Sequence, residues 1–335
     1  MTIPASFRAY VAERSEDGRS VSRGPTVMRK GELPKGEVEV RVEWSSVNFK
    51  DALATIASGK VARQRRLVPG VDMAGEVVGS SDRSIKVGSL ILAHGYDLGV
   101  ARHGGYADFA RIPSGYVVPL PADLTAREAM AIGTAGFTAA MAIIALEERG
   151  LAPSHGPVLV TGAAGGVGGV ALAILAERGY EVWVSSGKPE EHERLTALGA
   201  AGILSREEVS ADSRRPLETE RWAGAIDSVG APTLPYILRT LRYGAAVAST
   251  GNAGGPALST TVFPFILRAA AILGMDSAAV PIEQRRAIWE RLANDLRPRS
   301  LGQAVTELTL DELDFALDTI LEGGARGRWL VRLAG

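Results

Sequence analysis

One segment restricts the folds open to this 335-residue chain more than any other. Pro157-Val158-Leu159-Val160-Thr161 reads as a buried strand and runs straight into Gly162-Ala163-Ala164-Gly165-Gly166-Val167-Gly168-Gly169. A helical pattern then extends from Val167 to Arg178 and stops at Gly179. Close packing of a helix on a strand needs roughly one or two glycines. Five glycines in these eight positions leave main chain bare enough for a ligand to touch. The free N–H groups and positive end of the following helix favour an anion, so the turn is a candidate cradle for a dinucleotide diphosphate. Two registers fit, Gly166-x-Gly168-x-x-Ala171 and Ala163-x-x-Gly166-x-x-Gly169. Beyond the turn the pattern keeps alternating. Glu181 to Val184 reads as a strand, and Glu190 to Leu198 as a helix stopped by Gly199. Gly202 to Leu204, Gly224 to Asp227, Ala245 to Ala248 and Ala271 to Gly274 read as further short strands. Strand and helix in turn at this spacing predict a parallel, doubly wound sheet.

Residues 1–125 have another texture. Val38 to Trp44 alternates apolar and charged residues, and Gly75 to Gly79 and Ser89 to Ala93 are short apolar runs bounded by turns. Thr125 and Glu128 form a capping signal ahead of a long apolar helix. After a helix over Ile282 to Leu296, the chain returns to strand, helix and strand (Ala304 to Leu308, Asp311 to Glu322, Gly327 to Leu333). The expected architecture is therefore α/β, with a Rossmann sheet over residues 129–296 inserted in a split, mostly β domain of residues 1–128 and 297–335. Lysine and arginine (37) nearly match aspartate and glutamate (38), so the basic excess of a nucleic-acid binder is missing. The lack of cysteine removes disulfides, thiolate nucleophiles and cysteine metal sites, and fits a cytoplasmic location. No uncharged run reaches the ~20 residues of a membrane span, and Ala129 to Leu146 reads as a core helix. His94, His103, His155 and His192 fall in no metal-binding spacing, so no metal is expected.

The tip of the second strand selects the dinucleotide. An acidic side chain there would hold a ribose 2′-OH. This chain has Val184-Ser185-Ser186-Gly187-Lys188, two hydroxyls and an ammonium. NADP(H) is expected, with Ser186 and Lys188 on its 2′-phosphate; the alternative is an ordinary solvated lysine. Arg206 is either a further clasp on the adenosine end or an exposed helix-start arginine. A second constellation follows the strand at Val38: Ser45-Ser46-Val47-Asn48-Phe49-Lys50-Asp51. Asn48, Lys50 and Asp51 can offer hydrogen bonds, a charge and a proton route beside a carbonyl, with Phe49 against a nicotinamide face. The alternative is a capped helix start with a surface ion pair. Arg63, Arg65 and Arg66 either hold the phosphates of a coenzyme A substrate or belong to a solvated loop.

Trp44 to Leu53 resembles the acrylyl-CoA reductases, which belong to the zinc-independent, quinone-oxidoreductase-like branch of the medium-chain dehydrogenases/reductases. So do Pro69 to Asp72, Ile132 to Ala139, Thr161 to Gly168, Arg221 to Asp227, Phe263 to Arg268 and Gly274 to Ser277, in that order along the chain. The resemblance implies a GroES-like outer domain and NADPH-dependent reduction of an activated C=C bond. The substrate would be a 2-enoyl-CoA such as acryloyl-CoA, taking hydride at the β-carbon and a proton at the α-carbon. It implies no zinc, and a homodimer through the edge of the nucleotide sheet near Ala271 to Gly274. Cofactor contacts would come from Phe49, Thr134, Gly165, Gly166, Val167, Gly168, Ser186, Gly187, Lys188, Arg206, Asn252, Ile266 and Ser277. Two positions depart from the family pattern: Phe49 stands where tyrosine is common, and Asn252 where leucine is usual. A quinone or enone reductase, or an NADPH-binding protein without catalysis, is the competing expectation.

Overall fold

Three sheets organise the chain, whose computed structural model describes residues 2–333. The first part carries β1 (Ser6–Arg14), β2 (Val21–Arg29), β3 (Val38–Ser46), β4 (Arg66–Leu67), β5 (Asp72–Ser80), β6 (Leu90–His94), β7 (Phe109–Ile112) and β8 (Val118–Pro119). The middle adds β9 (Val158–Thr161), β10 (Val182–Ser185), β11 (Gly202–Leu204), β12 (Gly224–Asp227), β13 (Ala246–Ser249) and β14 (Ala271–Gly274). The end supplies β15 (Val305–Leu308) and β16 (Arg328–Arg332).

The chain divides into two units. Unit 1 holds a three-stranded sheet, β2-β1-β4, and a seven-stranded sheet ordered β15-β16-β3-β5-β6-β8, with β7 also paired to β3. The alternation in β3 does what its period demands: Val38, Val40 and Val42 are fully buried in one core. Glu39 and Arg41 on the opposite face pair with Arg111 and Glu76. Strand β16 returns from the C-terminal part to pair antiparallel with β3, which brings residues some 280 apart in sequence together. Unit 2 holds a six-stranded, all-parallel sheet ordered β11-β10-β9-β12-β13-β14. Numbered within that sheet the order is 3-2-1-4-5-6, so the direction of winding reverses between β9 and β12.

The expected division at 128/129 and 296/297 is displaced. Unit 1 runs to Thr134 and also takes Ala278–Asn294 and the chain from Gly302 on, while unit 2 comprises Ala135–Ser277 and Asp295–Leu301. Two physical causes account for this. The helix Ala126–Glu148 is broken at Gly133, whose φ of 54° and ψ of −163° are not helical. The helix Ile282–Ala293 buries Arg285 and Trp289 against His94 of β6. By length and composition Ala126–Glu148 could cross a membrane, but 78% of its most apolar window is buried in the protein.

Candidate functional site

In unit 2 the glycine-rich turn sits where the winding reverses. Thr161 ends β9 and donates from Oγ1 to Oδ1 of the buried Asp227 at the end of β12, 2.5 Å away. Asp227 also accepts the N–H groups of Val229 and Gly230 at 3.1 and 2.9 Å. Burial raises its carboxyl above the ordinary range against those hydrogen bonds. The turn itself opens with Gly162 at φ 63°, whose carbonyl accepts the N–H of Gly165 at 2.9 Å. A Cβ on Gly168 would lie 2.6 Å from the Gly162 carbonyl oxygen, so the helix Gly166–Glu177 starts hard against the turn. Gly165, Gly166 and Val167 remain half-buried. The first-turn N–H groups of such a helix have no intrahelical acceptor, and the main chain that carries them is accessible. Gly168 is thus the close-packing position of the turn, while Gly165 to Val167 stay accessible.

The tip of β10 lies beside it. Ser186 is buried and its Oγ accepts the N–H of Lys188 at 3.1 Å, which fixes the bend that Lys188 leaves on. The Arg206 guanidinium lies across Gly187, with its Nε and an Nη 3.0 Å from where a Cβ would stand, so a larger residue at 187 would push it away. Arg206 is exposed and makes no ion pair among the described residues. Ser186, Gly187, Lys188 and Arg206 are thus brought together. Asn252 is exposed on the loop after β13, where Gly254 donates to the Val229 carbonyl at 2.7 Å. Ile266 lies two-thirds exposed on the short helix Phe263–Arg268, and Ser277 ends the first segment of the unit.

Unit 1 contributes a buried polar cluster at the ends of β3, β5 and β6. Asp72 is fully buried and accepts from Ser46 Oγ (2.5 Å), Asn48 Nδ2 (2.9 Å), Thr134 N (3.0 Å) and Thr134 Oγ1 (2.5 Å). Burial opposes its charge, but the hydrogen bonds from Ser46 and Thr134 hold its carboxyl below the usual range. The buried Arg328 donates to Ser46 Oγ, to the Ala131 carbonyl and, at 3.4 Å, to Asn48 Oδ1. A Cβ on Gly133 would stand 2.7 Å from both Arg328 Nη2 and Asp72 Oδ2, which is why the helix must break at a residue without one. Trp289 Nε1 donates to His94 Nε2 at 2.9 Å, and His94 Nδ1 lies 3.3 Å from Thr134 Oγ1. Burial and the Arg285 guanidinium, 2.8 Å from Nδ1, push His94 down to about 3, so its ring is neutral.

Several expected roles change here. Asn48 caps the helix Phe49–Ala54, but both amide hydrogens are committed to Asp72 and Ser46, so it is not a free donor for a substrate oxygen. Lys50 and Asp51 form neither an ion pair nor a joint proton source. Lys50 is exposed, while Asp51 is fully buried and accepts from Asn48 N, Gly70 N, Val71 N and Tyr106 Oη. Burial, then the Asp72 carboxylate, raise Asp51 to about 7. Phe49 is half-exposed at the helix start. Thr134, expected at the cofactor, instead directs its N–H and hydroxyl at Asp72. Of the basic run, Arg65 pairs with Glu13 and Glu16, and Arg66 with Glu13 and Glu32; Arg63 is exposed without an ion pair among the described residues. Ser46, His94, Tyr106, Trp289 and Arg328 had no local signal, because their partners lie tens to hundreds of residues away. Gly133 within an apolar helix was the one visible clue.

Comparison with known proteins places these features. The description "Alcohol dehydrogenase GroES-like domain" matches residues 34–122, and "Zinc-binding dehydrogenase" matches residues 166–294. The chain is similar to Acrylyl-CoA reductase AcuI of Ruegeria pomeroyi, 46% identical over 325 residues, 97% of this chain and 98% of that one. It is also similar to Putative quinone oxidoreductase YhfP of Bacillus subtilis, 43% identical over 98% of this chain and 99% of that one. The structure of the yhdH oxidoreductase of Salmonella enterica in complex with NADP superposes with a TM-score of 0.94 at 44% identity, covering 98% of this chain and 100% of that one. The second matched description mentions zinc. Among the described residues no group of three or more His, Cys, Asp or Glu side chains could hold a metal ion, and both Asp72 oxygens already accept N–H or O–H donors. The donor set does not fit a metal centre.

Proposed function

Because the chain belongs to the acrylyl-CoA reductase family of medium-chain dehydrogenases/reductases, we propose that it is a cytoplasmic, NADPH-dependent reductase of the C=C bond of a 2-enoyl-CoA such as acryloyl-CoA. The observation that carries the cofactor half is the tip of β10, where Ser186, Lys188 and Arg206 gather beside the glycine turn with no carboxylate at the ribose position. The residues fit the group: bare main chain at Gly165 to Gly168 for the diphosphate, hydroxyl and cations for the 2′-phosphate. When bound, the cofactor supplies the hydride that the β-carbon takes up. Everything else falls to the chain. Negative charge developing on the thioester oxygen needs a donor, and with Asn48 committed inward, Lys50 is the uncommitted cation on the helix Phe49–Ala54. Asn48 and Asp51 hold that helix start in place, and the α-carbon takes its proton from water, since Phe49 carries no hydroxyl. Arg63 is the one residue of the basic run left to meet a substrate phosphate.

The working assembly in this reading is a homodimer through β14, the outermost strand of its sheet, flanked by the exposed Val262, Phe263, Ile266 and Leu267. Sedimentation of a β14 proline variant against the wild type tests it; an unchanged mass sinks it. The reaction is tested by following NADPH oxidation with acryloyl-CoA, a free enone and a benzoquinone side by side. Preference for the thioester supports the reading, preference for the quinone favours the activity named for the Bacillus relative, and tight NADPH binding without oxidation by any of them leaves only a binding protein.

A further inference from the structure

The mechanism leaves without a task an ion pair of unit 2 whose carboxylate is buried. Glu191 and Arg194 sit on the segment that follows Lys188, and Arg194 Nε lies 2.6 Å from Glu191 Oε2. The Glu191 side chain is 5% exposed and that of Arg194 25%. A pair placed only for charge would end there. Arg194 does not: its Nη2 donates to the Ala164 carbonyl at 3.2 Å, in the middle of the glycine turn. Gly169, the glycine that neither packing nor ligand access explained, borders the same guanidinium. A Cβ there would lie 3.3 Å from the Ala163 oxygen and 3.9 Å from Arg194 Nη1. The turn is tied once more to the same side, since Ala163 N–H donates to the Ser185 carbonyl at 3.3 Å. The charge on Arg194 is already answered by Glu191, so what it offers the turn is a directed hydrogen bond rather than a field.

We propose that Arg194 is a positioning residue for the dinucleotide: held by Glu191, it fixes the Ala164 carbonyl and so pre-sets the turn whose following amides, Gly166 to Gly168, face the diphosphate. This rests on the cofactor reading above. It gives the segment Lys188–Arg194 two tasks at once, with Lys188 at the 2′-phosphate end and Arg194 behind the diphosphate turn. A turn already in its bound shape costs less to order on binding.

The test compares two ligands on the full-length protein: NADPH, which needs both the turn and the strand tip, and adenosine 2′-phosphate, which needs only the tip. Arg194→Lys keeps the charge for Glu191 but loses the forked geometry that reaches both partners. Its NADPH Kd is expected to rise about three- to tenfold, with adenosine 2′-phosphate affinity unchanged and kcat at saturating NADPH unchanged. Hydrogen exchange at the Gly165 amide, which closes the turn onto Gly162, is expected to quicken without any ligand. Arg194→Met is expected to exaggerate both effects; should it not fold, Arg194→Lys decides alone. Equal NADPH affinity in Arg194→Lys and wild type, or equal weakening of both ligands, overturns the proposal. Wild-type protein that fails to bind NADPH would instead overturn the cofactor reading, so the two failures are told apart.

Discussion

The two polar regions of this protein use their hydrogen-bonding groups in opposite ways. In unit 1 Asp72, Asp51, Ser46, Asn48, Thr134 and Arg328 satisfy one another in the interior, donor matched to acceptor. In unit 2 the glycine turn and the tip of β10 hold main-chain amides and cations at half-buried or exposed positions. One region spends its polarity on shape and the other leaves it accessible. Burial separates the two: a polar group removed from water must find a partner inside the protein, whereas one at the rim can wait for a partner from outside.

The contrast can be broken by substitution. Arg328→Met should have the largest effect, because it removes the buried guanidinium that donates to Ser46 Oγ, Asn48 Oδ1 and the Ala131 carbonyl around the buried Asp72. A loss of about 3–5 kcal/mol in denaturant unfolding is expected, and a loss below about 1 kcal/mol would mean the cluster is not interdependent. Gly133→Ala follows at about 2–3 kcal/mol, for a left-handed φ forced on alanine plus a methyl group against Arg328 and Asp72. Lys188→Ala should behave in the opposite manner, with unfolding unchanged within about 0.5 kcal/mol but the NADPH Kd raised roughly ten- to a hundredfold and the NADH Kd little altered. Equal loss for both coenzymes would remove Lys188 from the 2′-phosphate.

The smallest effect concerns Asp51 and has a definite sign. Its folded-state carboxyl, near 7, holds its proton more tightly than the unfolded chain does, so its contribution is most favourable in acid and declines as pH rises through that value. The proton has a place to go: Tyr106 Oη lies 3.1 Å from both Asp51 Oδ2 and the Ser46 carbonyl, so it can donate to the latter while accepting from a protonated Asp51. Relative to Asp51→Asn, wild-type stability should fall by about 1 kcal/mol between roughly pH 6 and pH 8. Identical pH slopes would show that Asp51 does not titrate there. The same variant should slow turnover and leave the NADPH Kd unchanged.

Legibility in the sequence followed the range of the interactions. The parallel sheet, the glycine turn and the β10 tip were readable because each is written in consecutive residues, as was the Thr125–Glu128 cap, seen at 2.9 and 3.1 Å. The hairpin β1–β2 was not read, since β2 contains Gly24-Pro25 and is mostly exposed, which hides its period. The inward turn of Asn48 and Asp51 was equally hidden. Their burial is set by Asp72, Tyr106 and Arg328, up to 280 positions away, and no local pattern records that. Arg65 and Arg66 looked like a free cationic run for the same reason, their glutamate partners being distant in sequence.

The break at Gly133 bears on any attempt to exchange parts with a relative. The next residue, Thr134, still clamps Asp72 through two bonds, so a splice made at the apparent start of the long helix would hand that clamp to a foreign chain. A chimaera that keeps its own sequence through Thr134 and changes over at Ala135 preserves the clasp intact. In this protein the seam for recombination lies inside a helix rather than in a loop.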